Sequence, residues 1–130
     1  TVAVFDVFFR TIPDNGGFAI FAGLEQLIDY LKNLSFTEED IEYLRSKNCF
    51  SETFLDYLRN FKFACDVWCV PEGTPIFPRE PIMVIKGPAI QAQFIETVVL
   101  LIANHQSLIA TKANRIVRAA QGRPVMEFEK

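Results

Sequence analysis

The alternation of apolar and polar positions begins at the first residues. Residues 2–10, VAVFDVFFR, have Ala3, Phe5, Val7 and Phe9 on one side of an extended chain and Val2, Val4, Asp6, Phe8 and Arg10 on the other. A period of two with an all-apolar side predicts a strand, with Arg10 at its end on the side of Asp6. The run Pro13-Asp14-Asn15-Gly16-Gly17 then predicts a loop, because it joins a fixed-φ residue to residues that tolerate positive φ. From Leu24 the period lengthens. Leu24, Leu27, Ile28 and Leu31 take the i, i+3, i+4, i+7 spacing of an amphipathic helix. A second helix is announced at Thr37-Glu38-Glu39-Asp40. There Thr37 caps, Asp40 is its reciprocal partner, Phe36 staples onto Ile41, and the acidic first turn suits the helix dipole. A third helix is expected after Ser51, presenting Phe54, Leu55 and Leu58.

Further along, Ala64 to Val70 reads as a strand, Pro71 to Pro75 as a turn, Ile76-Phe77 as a short strand and Pro81 to Lys86 as another. Prolines so placed suit edges and turns better than a central strand. Gly87-Pro88 closes the strand region, with Pro88 in the first turn of the next helix. That helix is expected over about Ala89 to Ala103 and is apolar on most faces, which predicts burial. Asn104-His105 is read as a break. A further helix follows from about Ser107 to Gln121, ended by Gly122 in the left-handed conformation and kept from resuming by Pro124. Val125 to Phe128 is read as the start of another strand. The order of elements gives an α+β class.

Composition narrows the class. The 130 residues are half hydrophobic and include 13 phenylalanines, so a packed domain with large rings in its core is expected. A net charge of −3 argues against a dedicated nucleic-acid binder, which needs clustered cations. The longest apolar run, Val98 to Ala103, is far short of the roughly 20 residues of a membrane helix, so no membrane partner is expected. Cys49, Cys65 and Cys69 are odd in number and irregularly spaced. That suits reduced thiols in the cytoplasm rather than a secreted disulfide framework. A start inside a strand, with no methionine, suggests the remnant of a longer protein.

Five constellations are candidates for chemistry. Cys65 and Cys69 point to the same side of a strand, but about 13 Å apart in an extended chain, too far to share a metal ion. His105 and Ser107 lack the third group a nucleophile and base require. Glu96 lies in an apolar helix, where a lone carboxylate is either solvated or paired. Lys112, Arg115 and Arg118 drift by about 60° per step along one side of a helix. They form a basic stripe that is either a solvated face or an attractor for a phosphorylated ligand or acidic surface. Arg10, following an aromatic pair, is placed for bidentate phosphate recognition or for pairing with Asp6. Spacing alone does not choose between these.

Several segments together resemble one family. Ala3-Val4-Phe5-Asp6-Val7-Phe8-Phe9-Arg10, then Asn15-Gly16-Gly17-Phe18 and Phe21-Ala22-Gly23-Leu24, are similar to the early part of nicotinate phosphoribosyltransferases. Pro71-Glu72-Gly73-Thr74, Gly87-Pro88, Glu96-Thr97 and Ser107-Leu108-Ile109-Ala110-Thr111-Lys112-Ala113 continue that pattern in the expected order. Each segment is weak alone, and their joint order is specific. The resemblance covers residues 2 to 128, and Glu129-Lys130 depart from it where an arginine pair is expected.

The resemblance implies the N-terminal α/β domain of a type II phosphoribosyltransferase, with long apolar helices leading toward an irregular α/β barrel beyond this chain. It implies transfer of phosphoribosyl from phosphoribosyl pyrophosphate to nicotinate, coupled to ATP and using magnesium, in a cytoplasmic homodimer. By similarity to the related nicotinamide enzymes it assigns phosphate binding across the subunit interface to Arg10, and it assigns no catalytic residue to this chain. The histidine that such enzymes phosphorylate is expected further on, so His105 is not equated with it. The chain by itself is expected to be inactive. The competing readings are a non-enzymatic binding module and part of a related quinolinate or nicotinamide phosphoribosyltransferase.

Overall fold

The computed structural model describes residues 1–128; Glu129 and Lys130, where the family pattern is expected to break, lie outside the described residues. Strands β1 (Val2–Val7), β5 (Met83–Pro88) and β3 (Asp66–Cys69) form an antiparallel sheet in the order β1-β5-β3. Its register sets Phe5 opposite Ile85 and Trp68 opposite Val84. Strands β2 (Ala19–Ile20) and β4 (Pro75–Ile76) form a separate antiparallel ribbon. Helices α1 (Leu24–Asn33), α2 (Glu38–Ser46) and α3 (Glu52–Arg59) lie between β2 and β3 in the chain. The long helix α4 (Ala89–Ala120) follows β5 directly. It packs on β1, β2, β5 and α1.

The apolar side chains of these elements meet in two clusters. The larger gathers Val7, Phe21, Leu27, Ile85, Ile95 and Val99, among others, from β1, the segment after β2, α1, β5 and α4. The smaller holds Ile41, Leu55 and Leu58, with Phe36, Phe54 and Phe94 packed on it. Phe94 of α4 lies 6.1 Å from Phe36, 6.2 Å from Phe54 and 6.1 Å from Phe61 between ring centroids. These tilted pairs hold the α2–α3 hairpin against α4. Charges clasp the hairpin at both ends: Arg45 bonds Glu52 at 2.9 Å, and Arg59 bonds Glu38 at 2.7 Å. Gln91 of α4 is buried among this packing and fully used. It accepts from the Ala64 amide at 2.8 Å and donates to the Lys62 carbonyl at 3.0 Å and to the Tyr57 hydroxyl at 3.2 Å.

Local signals translate directly. Thr37 and Asp40 form the reciprocal capping box, and Phe36 packs on the cluster containing Ile41. Helix α3 starts after Ser51, whose hydroxyl accepts from the Phe54 amide. In α1, Leu27 and Leu31 are buried, while Ile28 is exposed.

Several boundaries differ from expectation. The first strand ends at Val7 rather than residue 10, although the Val7 and Phe9 carbonyls still accept from the Ile82 and Arg79 amides. The break at Asn104-His105 is absent, and α4 runs unbroken through 32 residues. Asn and His each disfavour a helix by only about 0.7 kcal/mol, which packing on both sheets outweighs. Pro88 ends β5 and caps α4 instead of entering its first turn. Val125 to Phe128 form no strand and are exposed. One consequence concerns membranes: α4 as a single helix is long and apolar enough to cross one by length and composition. In this fold its buried side supplies Ala92, Ile95, Val99 and Ala103 to the core.

Candidate functional site

Three of the family-like segments converge on one short stretch of backbone. Five successive amides, Ile20 to Leu24, all donate to residues distant in sequence. Ile20 N–H donates to Thr111 Oγ1 at 2.9 Å, and Ala22 N–H donates to Ser107 Oγ at 3.1 Å. Phe21 N–H donates to the Thr74 carbonyl at 3.0 Å, while the Phe21 carbonyl accepts from Gly73 N–H at 2.8 Å. Gly23 and Leu24 N–H both donate to Glu72 Oε1, at 2.6 and 2.8 Å. Glu72 therefore supplies the cap that α1 lacks locally, since its N-cap residue is Gly23. Gly23 sits at φ 107°, and a Cβ there would lie 2.9 Å from Ile102 Cγ2 of α4. Glycine satisfies both the left-handed backbone and the close helix approach. The three segments around Gly23, Glu72 and Ser107 thus form one hydrogen-bonded junction that fixes β2 and α1 to α4.

Ser107 and Thr111 are buried in this junction. Ser107 Oγ also donates to the Ala22 carbonyl at 3.3 Å, and Thr111 Oγ1 donates to the Ser107 carbonyl at 2.6 Å. His105 is exposed on α4, away from this arrangement. The hydroxyl is occupied by backbone, which removes the Ser107–His105 pair as a nucleophile and base.

Arg10 lies just beyond β1, exposed, at the junction of two clefts. One, of about 480 Å³, is lined by Phe9, Thr11, Leu100, Leu101 and Asn104 as well as Arg10. The other, of about 290 Å³, sets Arg10 beside Phe5, Phe8, Asp6, Glu96 and Leu100. Among the described residues Arg10 makes no ion pair, with Asp6 or any other carboxylate. Among the described residues its side-chain donors have no hydrogen-bond partner, in clefts lined by both apolar and polar side chains, and such a guanidinium can take a phosphate in bidentate fashion. Glu96 is exposed on α4 at the rim of the second cleft.

The basic stripe divides. Arg115 turns back onto the loop after β1, donating to Asp14 Oδ2 at 3.2 Å and to the Pro13 carbonyl at 3.2 Å. Lys112 and Arg118 are exposed. Cys65 precedes β3 rather than lying in it, and a Cβ on Gly87 would come within 2.6 Å of its Sγ. Burial pushes both neighbouring thiols up, Cys69 to about 11 with help from Glu72, and Cys65 with help from Asp66. Among the described residues no three His, Cys, Asp or Glu side chains converge as a metal site. The magnesium implied by the resemblance is therefore assigned no ligands here.

Residues 1–104 match the family model described as the nicotinate phosphoribosyltransferase N-terminal domain. The chain is 45% identical over 126 residues to the nicotinate phosphoribosyltransferase pncB2 of Mycobacterium tuberculosis, covering 97% of this chain and 27% of that protein. It is 44% identical over 126 residues to the nicotinate phosphoribosyltransferase of Bacillus subtilis, covering 97% and 26%. The crystal structure of human nicotinic acid phosphoribosyltransferase superposes with a TM-score of 0.88 at 30% identity, over 99% of this chain and 27% of that one. The chain belongs to the nicotinate phosphoribosyltransferase family. It spans about a quarter of the length of the curated relatives it matches.

Proposed function

We propose that residues 1–128 form the N-terminal region of an enzyme that joins nicotinate to phosphoribosyl pyrophosphate, giving nicotinate mononucleotide and pyrophosphate for NAD biosynthesis. The observation that carries this reading is the junction at Gly23, Glu72 and Ser107, which unites three of the family-like segments in a fold matching the human enzyme's chain at a TM-score of 0.88. ATP and magnesium belong to the proposed reaction, bound by residues outside those described here. In this transfer a bond forms from the pyridine nitrogen to the sugar carbon, and the bond to pyrophosphate oxygen breaks with its electron pair. The departing group gains negative charge, which fixed cations stabilise.

Within this chain, Arg10 is the group assigned to phosphate. Its exposure, its lack of a carboxylate partner among the described residues, and its position at the meeting of two clefts support that role. The same exposure suits presentation to a second subunit of a homodimer, in a cytoplasmic enzyme. Residues 1–128 alone act as scaffold. The test compares the complete enzyme with the 130-residue chain, each incubated with nicotinate, phosphoribosyl pyrophosphate, ATP and magnesium. Nicotinate mononucleotide formed by the complete enzyme alone supports the reading. Turnover by the short chain, or none by the complete enzyme, contradicts it.

A further inference from the structure

The loop that follows Arg10 is held from a distance. Asp14 and Asn15 sit at φ 58° and 50°, a left-handed region that non-glycine residues enter at some cost and that Asp and Asn tolerate best. Two contacts bracket the segment containing Arg10. On its N-terminal side the Phe9 carbonyl accepts from the Arg79 amide at 2.7 Å. On its C-terminal side the Arg115 guanidinium bonds Asp14 and the Pro13 carbonyl, across 101 and 102 residues of sequence. Arg115 belongs to α4, the same rigid helix whose Leu100 and Asn104 line the clefts beside Arg10.

Gly16 lies against the same guanidinium. Its φ is −73°, which any residue adopts, so its conformation does not require glycine. A Cβ there would come within 1.8 Å of Arg115 Nη2 and 2.6 Å of Cζ, so an added methyl would displace the flexible end of the Arg115 side chain. The loop has a slot at Gly16 that the guanidinium fills, with a charge partner and a carbonyl acceptor beside it.

We infer that Arg115 is a positioning residue for the phosphate contact of Arg10. It locks the Pro13–Gly16 loop to α4 and so sets where Arg10 is presented. This rests on the proposed phosphate role of Arg10. Arg115 itself is committed to the loop and contacts no ligand in this account. Losing the brace leaves the loop free to relax from its left-handed residues, and Arg10, only three residues before Pro13, shifts with it.

The test is a double-mutant cycle in the complete enzyme, with KM for both substrates, kcat and the thermal unfolding midpoint measured for each variant. Arg115→Ala is expected to raise KM for phosphoribosyl pyrophosphate about tenfold, within the roughly hundredfold that misplacing a group by about 1 Å costs. KM for nicotinate and the midpoint stay near their starting values. The Arg10→Ala/Arg115→Ala double variant is expected to match Arg10→Ala within about twofold, since residues acting through one another are not additive. Gly16→Ala, which leaves Arg115 in place but fills its slot, reproduces the defect, and Asp14→Asn gives a weaker form of it. These two variants keep the test open should Arg115→Ala fail to fold. Effects of Arg10→Ala and Arg115→Ala that multiply overturn the positioning role and leave the Arg10 reading standing. A lowered midpoint with all constants affected alike also overturns it, as a merely structural role. Arg10→Ala with an unchanged KM for phosphoribosyl pyrophosphate removes the reading on which the inference rests.

Discussion

Ser107 engages both backbone polar groups of Ala22, its Oγ lying 3.1 Å from the amide nitrogen and 3.3 Å from the carbonyl oxygen. One buried hydroxyl thus replaces the strand partner that the chain loses on leaving β2. Ser107→Ala leaves both groups without that partner. An unsatisfied buried polar group costs about 1–3 kcal/mol. Amide hydrogen exchange over residues 19–24 of the complete protein should accelerate by roughly fivefold to a hundredfold in this variant, with exchange in α2 and α3 unchanged. Thr111→Val should act on the same stretch through Ile20. Because the two side chains share one junction, the double variant should fall short of the summed effects.

Glu72 caps a helix from 48 residues away, with one carboxylate oxygen accepting from both Gly23 and Leu24. Glu72→Ala should cost about 1 kcal/mol, as loss of a cap does, and should loosen the first turn of α1 in hydrogen exchange. Glu72→Gln, which keeps an acceptor oxygen but loses the charge at the positive helix end, should fall between.

Acid should open the α2–α3 hairpin. Bonding from the Thr37 amide, then from its hydroxyl, holds the Asp40 carboxyl below its usual range. The hydrogen bond from Arg45 does the same for Glu52. A carboxyl lowered in the folded state binds protons more readily when unfolded. Its stabilisation is therefore full above the ordinary carboxylate range and is lost as pH falls through the lowered folded values. Protection from exchange in residues 37–59, relative to the intrinsic rate at each pH, should fall below about pH 4, and Asp40→Asn should flatten that dependence. A hairpin equally protected at every acidic pH would contradict this assignment.

The cysteines should differ sharply in reactivity. Cys49 is exposed, whereas Cys65 and Cys69 are half-buried with thiols raised by burial. At neutral pH iodoacetamide should modify Cys49 first, because the thiolate is the nucleophile. Peptide mass spectrometry of a time course checks the order; early labelling of Cys69 would mean that its surroundings are more open than the fold describes.

What the sequence made legible was local. The capping box at Thr37 and Asp40 is written within four residues, and the helical spacing of Leu24, Leu27 and Leu31 within eight. The misread break at Asn104-His105 has a physical cause. Two weak helix formers suggested an end, but the packing that holds α4 together comes from distant strands. The uses of Glu72, Ser107 and Arg115 were equally hidden. Each bonds a segment 48 or more residues away, and pairings at such range leave no periodicity to read. The order of the motifs did carry the family, and three of those segments, around Gly23, Glu72 and Ser107, meet in the fold. Arg10 was visible as a candidate from its place after an aromatic pair, while its lack of a carboxylate partner among the described residues required the fold.

The central claim is that this scaffold presents Arg10 to the phosphate of phosphoribosyl pyrophosphate. Equilibrium binding of phosphoribosyl pyrophosphate to the complete enzyme, compared with Arg10→Ala, tests it most directly. Losing a hydrogen-bonded charge contact worth about 1.5–3 kcal/mol predicts affinity weaker by roughly tenfold to a hundredfold, with nicotinate binding and the unfolding midpoint unchanged. An Arg10→Ala enzyme that binds phosphoribosyl pyrophosphate as tightly as the parent would contradict the account.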